Sequence, residues 1–178
     1  TVCEQALRDF KGPNEFKLIS SDNAPELIRA VSDMGVPHHT GTPYRSSSNG
    51  RIENLLGQLL MGSRALLHQA GLPPTWWPQA GAFYASAQNV VGKPGRPQTP
   101  YALRHGSDFP GLNVPFGAAI RAKLPEMRVP THKFASRTTL CVFVGYHWEP
   151  GQRWTGDYLV SPLEDHTASE GRTHPRVI

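Results

Sequence analysis

Seven apolar residues, Ile52, Leu55, Leu56, Leu59, Leu60, Leu66 and Leu67, recur at the spacing of one wide helix face. The run closes at Gly71-Leu72-Pro73-Pro74, where glycine ends a helix and proline forbids its continuation. A second helix is expected behind it, with Trp76, Trp77, Ala80, Phe83, Tyr84, Ala87, Val90 and Val91 on its inner side. Two adjoining apolar helices need an apolar surface to cover them, and the flanking sequence offers short strands on both sides.

On the N-terminal side, Val2, Cys3, Ala6, Leu7 and Phe10 have helical spacing, and Lys11-Gly12-Pro13-Asn14 stops that helix. Phe16 to Ser20 reads as a strand, Pro25 to Met34 as a helix closed by Gly35, and Val36 to Thr40 as a second strand. Gly41 to Gly50 is a polar loop. On the C-terminal side, Gly92-Lys93-Pro94-Gly95-Arg96-Pro97 has the composition of a linker. Thr99 and Pro100 supply a cap and a first-turn proline for a short helix to His105. Phe116 to Leu124, Leu140 to Tyr146 and Gly156 to Ser161 are expected strands. The resulting division is 1–92, a linker and short helix at 93–115, a β-rich unit at 116–162, and a loose polar tail at 163–178.

Composition narrows the function classes. Net charge is +4, a mild basic excess compatible with a polyanionic partner without requiring one. Cys3 and Cys141 form neither a CxxC pair nor a zinc knuckle, and reduced thiols are expected. No stretch approaches the ~18 apolar residues of a membrane-spanning helix. No phosphate-binding glycine motif occurs, and the serines at 46–48 lack a recognisable His and Asp partner. His38-His39 has no third ligand at usable spacing, and Trp76 and Trp77 are better read as core than as base-stacking residues.

Two carboxylates remain. Asp22 closes the first strand, and Glu53 opens the long helix after the polar loop. Carboxylates at element ends are the hard oxygen donors that Mg²⁺ prefers. Taken singly, each also has an ordinary explanation, Asp22 as a turn residue and Glu53 as a complement to the helix dipole.

The surrounding motifs separate these alternatives. Ser21-Asp22-Asn23-Ala24-Pro25-Glu26-Leu27, then Gly35-Val36, then Thr42-Pro43-Tyr44-Arg45-Ser46-Ser47-Ser48-Asn49-Gly50-Arg51-Ile52-Glu53, resemble the integrase core of retroviruses and retrotransposons. Leu72-Pro73, Trp76-Trp77-Pro78-Gln79-Ala80, Thr99-Pro100-Tyr101-Ala102-Leu103, Phe116-Gly117, Lys133-Phe134 and Val142-Phe143-Val144-Gly145-Tyr146 resemble its Copia branch. The likeness covers about residues 1 to 162.

That resemblance implies an α/β fold like ribonuclease H, lacking its first strands and followed by a small β-rich domain. It implies a nuclear, oligomeric polynucleotidyl transferase that cleaves phosphodiesters and transfers strands into double-stranded DNA, using two Mg²⁺ or Mn²⁺ ions. Asp22 and Glu53 match the second and third acids of the D,D,E triad. The first acid would lie on an earlier strand that this chain does not contain. Tyr44 and Asn49 match loop positions that contact the DNA end, and Arg45, Arg51 and Arg64 are the nearby cations. Three departures stand out. Asp22 and Glu53 are 31 positions apart, about five fewer than usual in the family. Leu56-Gly57 and Leu60 replace an asparagine and a basic residue, and Ser46-Ser47 replaces Pro-Gln. The rival expectation is a non-catalytic DNA-binding or scaffold remnant of a transposable-element polyprotein. This fragment alone is expected to hold metal weakly or not at all.

Overall fold

The computed structural model describes residues 1–41, 50–123, 134, 137–167 and 177–178. It is a mixed α/β chain in two compact units, and the boundary runs through the longest helix. One unit comprises Thr1–Gln58 with Trp148–Thr155, the other Leu59–His147 with Gly156–Ile178.

In the first unit, helix α1 (Val2–Lys11) begins in a capping box. The Thr1 hydroxyl accepts from the Glu4 amide at 3.2 Å, which satisfies one of the free donors at a helix start. Arg8 donates back to Glu4 at 2.8 Å from one turn along. The helix ends at Gly12, whose φ of 57° suits a residue without a side chain. Space requires glycine there as well, because an added Cβ would collide with the backbone of Gly151. The Gly151 amide donates to the Asp9 carbonyl at the same junction.

Strand β1 (Ile19–Ser21), helix α2 (Pro25–Asp33) and strand β2 (His38–Thr40) follow. The strands pair in parallel, with Ile19 opposite His38 and Ser21 opposite Thr40. Parallel neighbours need a crossover, which α2 supplies. Ala30 and Val31 on α2 are fully buried, while Leu18 and Phe10 stay exposed.

Helix α3 (Gly50–Ala70) agrees with the expected long helix, but its apolar stripe is not buried along its length. Leu55 and Leu56 are 57% and 53% exposed, whereas Leu67 is buried. A 21-residue helix is about 31 Å long. Toward its C-terminal end, Leu67 is buried in the larger core, with Leu66 and Ala70 packed against it.

That core belongs to the second unit. A 3₁₀ turn (Pro74–Trp76) leads into α4 (Trp77–Val90), and α5 (Pro100–His105) follows. Strands β3 (Ala119–Ala122), β4 (Thr139–Glu149) and β5 (Arg153–Pro162) form an antiparallel sheet in that order. Leu67, Trp76, Ala80, Phe116, Val142 and Val144 form the buried centre. Phe83 on α4 meets Phe116 at 5.5 Å and the edge of Phe143 at 5.9 Å between ring centroids. Helix α4 was expected to belong with the first 92 residues, but its aromatic face packs on the sheet instead. The linker at 92–97 separates α4 from α5 in sequence only, because the two helices are neighbours.

Helix α5 is built as its sequence requires. Thr99 caps it by accepting from the Ala102 amide at 3.0 Å, Pro100 occupies the first turn, and Gly106 ends it at φ 74°. The paired tryptophans divide. Trp76 is 4% exposed and Trp77 is 63% exposed, because the switch from 3₁₀ to α-helix falls between them.

Of the stretch expected as a loose tail, residues 163–167 and 177–178 are described, and both parts are attached. Leu163–Thr167 form a short helix, α6, and Ile178 exchanges two main-chain hydrogen bonds with Val160 at 2.8 and 2.9 Å. Ile178 also packs with Cys141 and Val160, which gives this otherwise polar stretch an apolar anchor. Cys3 and Cys141 are free thiols, as expected.

Candidate functional site

The exits of β1 and β2 are laced together by side-chain hydrogen bonds. Asn23 Nδ2 donates to the Gly41 carbonyl at 3.2 Å, and the Gly41 amide donates to the Ser21 carbonyl at 3.0 Å. Ser21 Oγ lies 2.9 Å from His38 Nε2, and the Ser21 hydroxyl donates to the Asp22 carbonyl at 2.7 Å. His38 is therefore a partly buried sheet partner.

Asp22 sits at this C-terminal edge, between the end of β1 and the first turn of α2. Its Oδ1 accepts from the Ala24 amide at 3.3 Å, an Asx turn that holds the carboxylate beside a helix N-terminus. The residue is solvent-exposed. The carboxyl ends of parallel strands are where open α/β sheets place their ligands.

Glu53 is exposed in the first turn of α3 and belongs to the same compact unit as Asp22. The helix period puts Gly57, Leu60 and Arg64 on the Glu53 side of α3. Arg64, exposed about three turns on, is the first cation along that side. Arg51 precedes Glu53 by two residues in the sequence, and its side chain falls outside the described ones. Tyr44, Arg45 and Asn49 fall outside the described residues.

Two exposed carboxylates offer oxygen donors of the kind Mg²⁺ takes, so the donor chemistry fits. Among the described residues there is no group of three or more His, Cys, Asp or Glu side chains placed to hold a metal. The hydrogen bonds from Asn23 and Ser21 were not legible individually in the sequence. The signal for them was the pairing register, which brings position 38 and position 41 against 19–23.

The chain is similar to the retrovirus-related Pol polyprotein from transposon RE1 of Arabidopsis thaliana, at 28% identity over 135 residues. That match covers 71% of this chain and 9% of the relative. The corresponding polyprotein from transposon RE2 of the same plant is 26% identical over 155 residues, covering 82% and 10%. The chain therefore spans about a tenth of the length of these polyproteins. No family model matches it. A chain in the cryo-EM structure of a simian T-cell lymphotropic virus intasome with PP2A regulatory subunit B56 gamma aligns with 99% of this chain and 60% of its own length. Identity there is 17% and the TM-score 0.46, too loose a likeness to carry an argument.

Proposed function

We propose that this chain is part of a Copia-type retrotransposon integrase, with a ribonuclease H-like core. The observation that carries this reading is Asp22 at the exit of a parallel strand, with Glu53 opening the next long helix after the polar loop. That order matches the second and third acids of the integrase motif, and the chain's relatives are retrotransposon polyproteins.

Asp22 and Glu53 would hold Mg²⁺ or Mn²⁺, together with a third carboxylate from a strand outside this chain. When bound, two such ions supply charge neutralisation and activation for in-line phosphodiester displacement. The chain's own contribution is positional. The Asx turn fixes Asp22, Asn23 fixes the strand exits against one another, and the first turn of α3 aims Glu53. Arg45, Arg51 and Arg64, with Tyr44 and Asn49, would bind and orient double-stranded DNA in the nucleus, within a homo-oligomer.

The second reading, a DNA-binding or scaffold remnant without catalysis, is favoured by Gly57 and Leu60 on the Glu53 side of α3, where related integrases are polar or basic. The test is an end-processing and strand-transfer assay on the chain extended to include the upstream strand with its acid. Metal-dependent cleavage lost in Asp22→Asn and in Glu53→Gln supports the integrase. DNA binding without cleavage in the extended chain supports the remnant, and absence of salt-dependent DNA binding overturns both.

A further inference from the structure

His166 occupies an unusual position for a histidine in a polar C-terminal stretch. Its ring lies nearly parallel to the indole of Trp76, 5.1 Å between centroids with 12° between planes. Its Nε2 is 3.0 Å from Ser161 Oγ. Trp76 is buried in the core of the β-sheet unit, and Ser161 is fully buried at the end of β5. One imidazole thus covers a core tryptophan and supplies the partner of a hydroxyl that water does not reach.

Both contacts suit the neutral ring. A bare Nε2 accepts the Ser161 proton, and the uncharged face stacks on the indole without giving up a hydration shell. We propose that His166 is a pH-operated latch, which holds α6 on the sheet unit while neutral and releases it on taking up a proton. Protonation makes Nε2 a donor, so the Ser161 hydroxyl must turn its own proton to another acceptor inside the core. It also leaves a cation against a buried surface, and a buried polar or charged group without compensation is costly.

Among the described residues, the elements packed against the ring supply little compensation. The 3₁₀ turn brings Pro74, Thr75 and Trp76, and the end of β5 brings Val160, Ser161 and Pro162; none of these titrates. On its own element, Asp165 favours the protonated ring, with Glu164 beside it. Burial outweighs Asp165 and holds the imidazole below the usual histidine range. What the latch governs is local. Leu163–Thr167 directly follows β5, and the neighbouring Val160 is the residue that pairs with Ile178.

The test uses the whole chain. Histidine Cε1–H resonances are followed by NMR from about pH 8 to pH 5, the range in which imidazole titrates. Amide exchange across 160–167 is measured in parallel and referred to His166→Gln at the same pH, which cancels the intrinsic pH dependence of exchange. Glutamine offers Ser161 a polar partner and cannot titrate. The expected result is a His166 midpoint below about 6.5. Exchange in 160–167 should rise on acidification, by about tenfold for each unit between the closed-state and open-state pKa. His147→Gln should leave this unchanged. A His166 midpoint at or above the ordinary value would overturn the proposal, because attraction between imidazolium and indole would then dominate. Equal acid dependence in wild type and His166→Gln would also overturn it. If His166→Gln does not fold, Asp165→Asn is the second variant. Removing that carboxylate should move the opening to lower pH, and an unmoved transition counts against the latch.

Discussion

Asn23 Nδ2 reaches across to the carbonyl of Gly41 at 3.2 Å, joining the exits of two strands whose pairing covers only three residues each. A parallel pair this short has little to hold its ends in register. Asn23→Ala removes that brace on an exposed edge. The expected cost is about 0.5–1 kcal/mol, at the low end for a hydrogen bond because water can replace the partner. Urea unfolding measures it, with faster exchange of the Gly41 amide as the local signature. Unchanged exchange at Gly41 would show that the main-chain pairing suffices.

On the proposed function, this chain by itself should neither cut nor join DNA. Two carboxylates hold two ions poorly, and misplacement of reacting groups by about 1 Å costs on the order of a hundredfold in rate. Weak DNA binding should persist and weaken with salt. Arg64→Ala should lower the slope of log affinity against log salt by about 0.9 if Arg64 contacts one phosphate. A filter-binding salt titration, run beside an end-processing assay with Mn²⁺, gives both answers. Cleavage lost in Asp22→Ala would contradict the inactivity.

Helices α3 and α4 approach closely where Gly62 meets the ring of Tyr84. A Cβ at position 62 would collide with that ring. Gly62→Ala gains helix propensity of about 1 kcal/mol but must displace the tyrosine, at a cost of about 1–3 kcal/mol for overpacking. The net expectation is destabilisation by about 1 kcal/mol. Adding Tyr84→Ala should reverse the sign of the Gly62→Ala effect. Denaturant midpoints for the double-mutant cycle read this directly.

Tyr146 carries a pH dependence of its own. Its hydroxyl donates to the Leu112 carbonyl at 2.9 Å and accepts from the Val114 amide at 3.4 Å. Burial raises its pKa above the ordinary tyrosine value, and the Val114 bond opposes that rise. A raised folded-state pKa means the folded chain keeps its proton longer than the unfolded one. The associated stability is therefore full below about pH 10 and is lost as pH climbs from there through the folded-state value. Tyr146→Phe should flatten this alkaline limb and cost about 1–2 kcal/mol near neutrality. Thermal melts of both chains between about pH 8 and pH 11 provide the check.

What the sequence made legible was what short-range chemistry determines. Thr99, Pro100 and Gly106 define α5 because capping acts within one turn. The apolar run Val142 to Tyr146 announces β4 for the same local reason. Burial was harder, since it depends on what arrives from elsewhere in the chain. Periodicity put both Trp76 and Trp77 inward, but the 3₁₀ turn shifted their phase. The leucines at 55 and 56 looked like core, and no described surface covers them. Residues 163–178 looked unattached because the Trp76–His166 stack joins positions ninety residues apart, which no window of sequence reveals. At the candidate site, Asp22 and Glu53 stood out through their motif, while the lacing by Asn23 and Ser21 depended on strand register.

Helix α3 is shared between the two compact units, changing allegiance between Gln58 and Leu59. A helix loses its hydrogen bonds one turn at a time, so melting from the Gly50 end can stop at that point without disturbing the turns beyond it. The smaller unit has only Ala30 and Val31 as described buried apolar side chains, and the larger has an aromatic core. Unfolding should accordingly proceed in two stages, with the acid-bearing unit opening below the global free energy. Glu53 then rides on a segment that exchanges with solvent while Leu67 stays protected. Native-state hydrogen exchange would register this as a step in protection midway along one continuous helix.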